Sequence, residues 1–258
     1  MTKIYAIANQ KGGVGKTTTS VNLAASLAHL GQTVLLIDLD PQGNATMGSG
    51  IDKTALTLST YEGLVGKATL DEILQSCQAP GYDLVPANAD LTAAEVELLK
   101  LPGRERRLGD LLQQARHDFV IIDCPPSLNM LTVNGLVAAH SVIIPMQCEY
   151  YALEGLTALI DTISRVGQAA NPRLKVEGIL RTMYDARNSL TNEVSDQLHH
   201  YFGKRVYQTV IPRNVRLAEA PSHGHPILQY DRHSRGAIAY LALADELLRR
   251  QAAVGDGS

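Results

Sequence analysis

The stretch IANQKGGVGKTTTS, residues 7–20, places Gly12, Gly13 and Gly15 between two lysines, Lys11 and Lys16, and follows them with Thr17 and Thr18. Glycines let several backbone N–H groups converge on one point, and a helix beginning there adds the positive end of its dipole. The combination suits a phosphate chain. Within it, Lys16 is expected to reach the β- and γ-phosphates of a nucleotide and the Thr17 hydroxyl to bind Mg²⁺. Lys11 is less determined. Such a loop needs one lysine at its end, so a second at its opening either decorates the surface or neutralises charge on a second nucleotide.

Carboxylates complete the chemistry. Asp123 ends the apolar run FVIID, which puts it at the C-terminal edge of a strand, where α/β sheets gather ligands, and it reads as a magnesium support. Asp38 and Asp40, in LLIDLDPQGN, are two apart and point the same way if the chain stays extended. One of them could help order Mg²⁺ and the other orient water; both could also be turn acids before Pro41.

The elements that must position these residues follow from hydrophobic periodicity. Short β-branched runs predict strands over Lys3–Ala8, Thr33–Ile37, Tyr82–Pro86, Phe119–Asp123, Ser141–Pro145, Lys175–Leu180 and Val206–Ile211. Their continuous apolar character implies burial on both faces. Between the strands, TTTSVNLAASLAHLG predicts a helix with Leu23, Leu27 and Leu30 on one side and Gly31 as its stop. Further helices are expected over Ala93–Lys100, Arg104–Arg116, Asn129–Ala138, Leu153–Gln168, Thr191–Tyr201 and Arg235–Arg250. Alternation of this kind predicts an α/β fold, a mostly parallel twisted sheet with helices on both faces. Residues 1–258 are expected to form a single domain, with about 251–258 as a flexible tail.

Composition narrows the class. Hydrophobic residues make up 45% and charged residues 19% of the chain, the balance of an ordinary soluble globular protein. The first apolar run starts at Lys3 and no run has the length of a membrane span, so neither a leader nor a membrane anchor is expected. Cys77, Cys124 and Cys148 form no close-spaced pair, which argues for a reducing cytosol and, for Cys124 and Cys148, for small buried hydrophobes. The histidines of HH (199–200) and HGH (223–225) show no metal-ligand spacing. Net charge is −3, yet residues 173–250 carry 12 Lys/Arg against 8 Asp/Glu while the remainder carries 11 against 18. That asymmetry hints at an anionic partner for one surface, or simply at a solvated face.

The string KGGVGKTT resembles the deviant Walker A motif of the ParA/MinD group of P-loop ATPases. LIDLDPQGNAT, FVIIDCPPSLNMLTVNGL, VIIPMQCEYYALEGL, MYDARNSLTNEV and VIPRNVRLAEAPSHGHPI, in that order, resemble the chromosomal ParA/Soj partition ATPases. The likeness runs from Lys3 to about Leu247 and is weakest over residues 52–80. It implies a P-loop NTPase fold, ATP and Mg²⁺ as ligands, and Lys11, Gly12, Gly13, Val14, Gly15, Lys16, Thr17 and Thr18 around the phosphates. It also implies that Lys11 reaches across an ATP-dependent homodimer to the partner's nucleotide, and that Asp40 positions the attacking water. Thr17 would then meet the metal, with Asp38 and Asp123 supporting it through water, and Pro212 and Asn214 would lie by the adenine.

Arg187, in YDARN, and Arg216, in NVRLAEAPS, resemble positions through which this family grips DNA phosphates; as bare residues they read equally as solvated loop arginines. Phosphate-only contacts would bind double-stranded DNA without sequence preference. The resemblance further implies stimulation by a ParB-type centromere-binding partner and a cytoplasmic, nucleoid-associated protein that moves a chromosome or plasmid. The N-terminal helix-turn-helix domain of the larger plasmid ParA proteins is not expected before Lys3. Two alternatives remain at this stage. One is a MinD-like membrane-associated positioning ATPase, for which the tail RRQAAVGDGS lacks large apolar residues. The other is a metabolic P-loop enzyme, for which no substrate pocket is indicated.

Overall fold

The β-branched runs pair into one sheet. In the computed structural model, which describes residues 2–77 and 81–255, the strands are β1 (Lys3–Ile7), β2 (Val34–Asp38), β3 (Gln75–Cys77), β4 (Tyr82–Val85), β5 (Phe119–Asp123), β6 (Ser141–Gln147), β7 (Lys175–Tyr184) and β8 (Val206–Pro212). Their order is β3-β4-β2-β5-β1-β6-β7-β8. Every neighbouring pair is parallel except β3 with β4.

Alternation along each strand divides the core in two. Tyr5, Ile7, Leu36, Ile121 and Ile143 pack on one face with Leu23 and Leu27 of helix Lys16–His29 and with Tyr240, Leu243 and Leu247 of helix Arg235–Gly255. Ala6, Leu35, Ile37, Val120 and Ile122 point the other way, onto Leu91, Leu98, Leu131, Leu136, Leu156 and Leu159 of helices Leu91–Leu98, Met130–Ala138 and Ala152–Ala170. Every residue of VLLID and FVIID is buried, as strands covered on both faces require. The fold is therefore the expected α/β sandwich of helices around a mostly parallel sheet. β1 lies between β5 and β6, with the chain leaving it toward β2 on one side and arriving at β6 on the other. The C-terminal ends of β1, β2 and β5 thus meet where the strand order reverses, the usual place for a ligand in such sheets.

Several expectations need correcting. Leu30 is not on the buried side of the first helix: it is its C-cap and is 39% exposed, with Gly31 taking the left-handed turn at φ 84°. The helix expected over Ala93–Lys100 is Leu91–Leu98, and that over Arg104–Arg116 shortens to Arg107–Leu112. β6 and β7 continue beyond Pro145 and Leu180 because they pair with each other as far as Gln147 and Thr182. Short helices Asn44–Gly48, Thr60–Val65 and Leu70–Ile73, and the antiparallel β3, fill a region left without elements. Two of these helices open with capping boxes, Ser59 with Glu62 and Thr69 with Glu72, a signal present in the sequence. The closing helix extends past Arg250 to Gly255, into the segment expected as a tail; 256–258 lie outside the described residues. Among the described residues no helix is long and apolar enough to cross a membrane. All three cysteines are free and buried.

The turn after β2 sets the position of Asp40 and has almost no freedom. Gly43 holds φ 61°, its N–H donates to the Asp40 carbonyl at 2.9 Å, and a Cβ there would lie 2.6 Å from the Ala87 carbonyl oxygen. The Ala87 contact is backbone and cannot move cheaply, whereas the Lys53 side chain on the other side, 2.9 Å from that Cβ, can. Gly43→Ala is expected to lower the unfolding free energy by about 3 kcal/mol, from roughly 1–2 kcal/mol of left-handed strain plus overpacking. Urea denaturation measures it, and a loss below about 1 kcal/mol would mean the turn relaxes.

Candidate nucleotide and magnesium site

The loop between β1 and helix Lys16–His29 is glycine-shaped where the backbone demands it. Gly13 and Gly15 take φ 73° and 85°, a region that side chains resist. Gly12 does not, but a Cβ added there would meet nothing within 4 Å, so the space over the loop is open. The loop is held from its flanks. Asn9 Nδ2 donates to the Pro145 carbonyl at 2.8 Å, its Oδ1 accepts from the Lys11 N–H at 3.0 Å, and Thr182 Oγ1 donates to the Val14 carbonyl at 2.8 Å. Val14 is fully buried, which anchors the middle of the loop.

Lys16 folds back over this loop. It is 7% exposed, and its Nζ donates to the Lys11 carbonyl at 3.1 Å. Burial lowers its pKa, while Asp123 and Asp40 nearby pull it back up. A buried ammonium with three donors and one carbonyl partner fits an anion seated in the cleft.

The three aspartates meet beside it. Asp38 and Asp123 are register partners on β2 and β5, both fully buried. Asp123 Oδ2 accepts from Thr17 Oγ1 and its Oδ1 from Ser20 Oγ, each at 2.8 Å. Asp38 Oδ2 accepts from the Thr46 N–H and hydroxyl at 2.8 and 2.7 Å, and its Oδ1 from the Asp40 N–H at 3.2 Å. Asp38 therefore ties down the loop that carries Asp40. Burial, reinforced by Asp38, raises the Asp123 carboxyl to about 7. Burial raises Asp38 to about 6 against the lowering effect of the Thr46 hydrogen bonds. Hydroxyl and carboxylate oxygens beside two carboxyls that resist ionisation suit a hard divalent cation, whose charge would restore them to the anionic form. Asp40 is 9% exposed; its Oδ1 accepts from the Gln42 N–H at 2.9 Å and the residue lines the phosphate cleft.

That cleft, about 360 Å³, is walled by Gly12, Gly13, Gly15, Lys16, Thr17 and Thr18 with Asp40, Gln42, Asn44, Pro126 and Met183. A second pocket of about 190 Å³ shares Gly15, Thr18 and Met183 with it and adds Thr182, Ile211, Pro212, Arg213, Asn214, Leu217 and Tyr240. Pro212 and Asn214 thus stand in a mostly apolar recess continuous with the phosphate loop, and Asn214 Oδ1 caps helix Val215–Glu219 by accepting the Leu217 N–H at 3.1 Å. Lys11 turns away from the cleft. Its Nζ meets Glu149 Oε2 at 2.5 Å, with both side chains about half exposed.

Arg187 and Arg216 lie outside both cavities. Arg187 pairs with Asp185 at 2.8 Å, and Arg216 with Glu219 at 2.9 Å and Asp231 at 3.7 Å. Ser20, Thr46, Glu149 and Met183 were not anticipated. Ser20 carries one legible signal, being one helical turn beyond Thr17 and hence on its face; the others meet the site through long-range contacts only.

In the metal-free, nucleotide-free chain the two raised carboxyls bind protons more tightly folded than unfolded, where an aspartate titrates near about 4. Their contribution to stability is full below that value and is lost as pH rises through about 6 for Asp38 and about 7 for Asp123. Asp123→Asn should therefore gain melting temperature over the parent at about pH 8 and lose that gain near about pH 5. A difference that does not vary with pH would show Asp123 ionised throughout.

Comparison with known proteins agrees with this geometry. The family described as AAA domain matches residues 2–176. The sporulation initiation inhibitor protein Soj of Bacillus subtilis is 53% identical over 249 residues, covering 96% of this chain and 98% of that one. Chromosome partitioning protein ParA of Caulobacter vibrioides is 50% identical over 253 residues, covering 96% and 95%. A crystal structure of cobyrinic acid a,c-diamide synthase from Mycobacterium smegmatis, with bound ADP and magnesium, superposes with a TM-score of 0.85 at 43% identity over 97% of this chain and 96% of that one. A second structure of that synthase, at 42% identity and the same TM-score, holds an ATP analog and magnesium, and ATP and Mg²⁺ are the ligands the present cleft fits. With a phosphate loop, buried carboxylates and near full-length likeness to Soj and ParA, the chain belongs to the ParA/Soj family of chromosome-partitioning ATPases.

Proposed function

We propose that the protein is a single-domain ATPase that uses hydrolysis to time its own assembly on DNA. The observation that carries this reading is the unequal placing of the two loop lysines. Lys16 is buried over the phosphate loop, whereas the Lys11 side chain is held at its mouth by an exposed ion pair with Glu149. An exposed pair of this kind contributes about 0–1 kcal/mol, so Lys11 can leave it for a triphosphate presented by a second copy.

In this reading the backbone of Gly12–Thr18 and the Lys16 ammonium hold the phosphates, Thr17 meets the metal, and Asp123 and Asp38 support it through water. Mg·ATP supplies the anhydride bond whose cleavage by water gives ADP and phosphate. Asp40 orients and polarises that water with the carboxylate oxygen that Gln42 does not occupy. Pro212 and Asn214 flank the adenine. Lys11 of each copy bridges to the other's γ-phosphate, and loss of that phosphate releases the pair.

Arg187 and Arg216 give the assembled dimer a grip on double-stranded DNA without sequence preference. They follow directly on the two segments, around Met183 and Asn214, that line the base pocket. Both are paired with surface carboxylates that a DNA phosphate can replace at little cost. A ParB-type partner stimulates hydrolysis, and the protein works in the cytoplasm on the nucleoid. The Mycobacterium neighbour's name points instead to small-molecule synthesis, a reading that calls for no DNA.

Sedimentation with ADP, with ATP, and with ATP plus random-sequence DNA tests the proposal. The parent should be monomeric with ADP, dimeric with ATP, and co-sediment with DNA only with ATP. Lys11→Ala should bind ATP yet stay monomeric, and the double variant Arg187→Glu, Arg216→Glu should dimerise but leave the DNA behind. A Lys11→Ala protein that dimerises as well as the parent would refute the role in trans; a parent that ignores DNA would favour the synthase. Separately, Asp40→Ala should keep ATP affinity within about threefold while hydrolysis falls by about 10²–10⁴, read in a single-turnover assay. Hydrolysis at the parent's rate would remove Asp40 from the chemistry.

A further inference from the structure

Met183 is the one residue other than glycine, among the described residues, with a positive φ, 48°. It stands next to last in β7, and the pairing of β7 with β8 slips between Arg181 and Tyr184, the step that contains it. The slip is a bulge: pairing resumes at Tyr184 with Pro212 and the Arg213 N–H donates to the Tyr184 carbonyl at 3.3 Å, while Met183 stands out of the ladder and lines the base pocket. Met183 is also one of three residues common to the base pocket and the phosphate cleft, the others being Gly15 and Thr18 of the loop itself.

A methionine in this conformation is costly, and glycine would hold the same backbone without strain. What the chain gains is therefore the side chain. Its sulfur accepts from Gln147 Nε2 at the end of β6, and its neighbour Thr182 fixes the loop through the Val14 carbonyl, so the thioether is aimed rather than free. A thioether has no proton to donate and attracts the edge and face of an aromatic ring, while offering a phosphate nothing.

We infer that Met183 is a specificity-determining residue of the nucleotide site: its side chain is the wall between the two cavities and selects a ligand with a planar aromatic base over a bare polyphosphate. The inference rests on the proposed placing of the base beside Pro212 and Asn214.

Calorimetric titration with Mg·ADP and with Mg·pyrophosphate, which avoids both hydrolysis and assembly, separates the two ends of the ligand. Met183→Ala should weaken Mg·ADP about tenfold and leave Mg·pyrophosphate within about twofold. Met183→Leu, which keeps the volume, should stay within about threefold for both. Met183→Gly should lose ADP affinity as the alanine variant does, yet melt at a higher temperature than it without ligand, because only glycine relieves the backbone. Unchanged ADP affinity in Met183→Ala, or an equal loss for both ligands, would overturn the inference, as would an alanine variant more heat-resistant than the glycine one. A parent protein that binds ADP no more tightly than pyrophosphate would instead overturn the base pocket itself.

Discussion

The site is organised by one buried carboxylate. Asp123 ends the central strand β5 and accepts a hydroxyl hydrogen bond on each oxygen from the first turns of the helix that follows the phosphate loop. β5 and that helix are thereby locked together, and the glycine loop that joins β1 to the helix is fixed at its helical end. The arrangement costs stability, because Asp123 faces Asp38 across adjacent strands with neither exposed to water. Burying like charges is unfavourable by several kcal/mol unless a cation joins them. Lys16 supplies part of that compensation from within the chain, and a bound cation would supply the rest. A site poised in this way is less stable empty than filled, so ligand binding and folding stability are linked.

The surroundings of this centre divide into rigid and exchangeable contacts. Thr46 on Asp38, Thr182 on Val14 and Asn9 on Pro145 are shielded or partly shielded hydrogen bonds that position backbone. The pairs Lys11 with Glu149, Arg187 with Asp185 and Arg216 with Glu219 are exposed and contribute little to the fold. Each exposed pair belongs to a residue to which an external anion is assigned. A side chain that must release one partner to take another is best held by a contact of this weak kind, and the shielded bonds keep the frame unchanged during the exchange.

How much of this was legible depends on the reach of each interaction. The phosphate loop, Asp38, Asp40 and Asp123 were readable because their meaning lies in spacings of a few residues and in strand ends that hydrophobic runs mark. Ser20 was within reach by helical periodicity, and the capping boxes at Ser59 and Thr69 announced short helices. Thr46, eight residues from Asp38, and Glu149, 138 residues from Lys11, carry no local mark, since only the folded chain brings them together. Met183 is the clearest failure of local reasoning: left-handed backbone is expected at glycine, and the sequence offers methionine. Pro212 and Asn214 read physically as a turn, and only likeness to a family gave them a ligand. The final helix outran its expected stop because Ala252 and Ala253 are good helix formers and no glycine intervenes before Gly255.

The two lysines of the opening loop show why residue type alone could not settle function. They are five positions apart and chemically identical, yet one is 7% exposed and its Nζ bonds the carbonyl of the other. Burial lowers the proton affinity of Lys16 and leaves it no alternative partner in solvent, so it can serve only what enters its own cleft. Lys11 keeps its side chain about half exposed at the rim, where its charge costs nothing to hold and its reach extends outward. The loop thus separates a buried lysine that faces its own cleft from an exposed one whose charge faces outward, the division on which the proposed roles rest. The carbonyl of Lys11 is the atom that links them: it accepts the Lys16 ammonium, so any shift of the rim lysine's backbone is felt at the buried one.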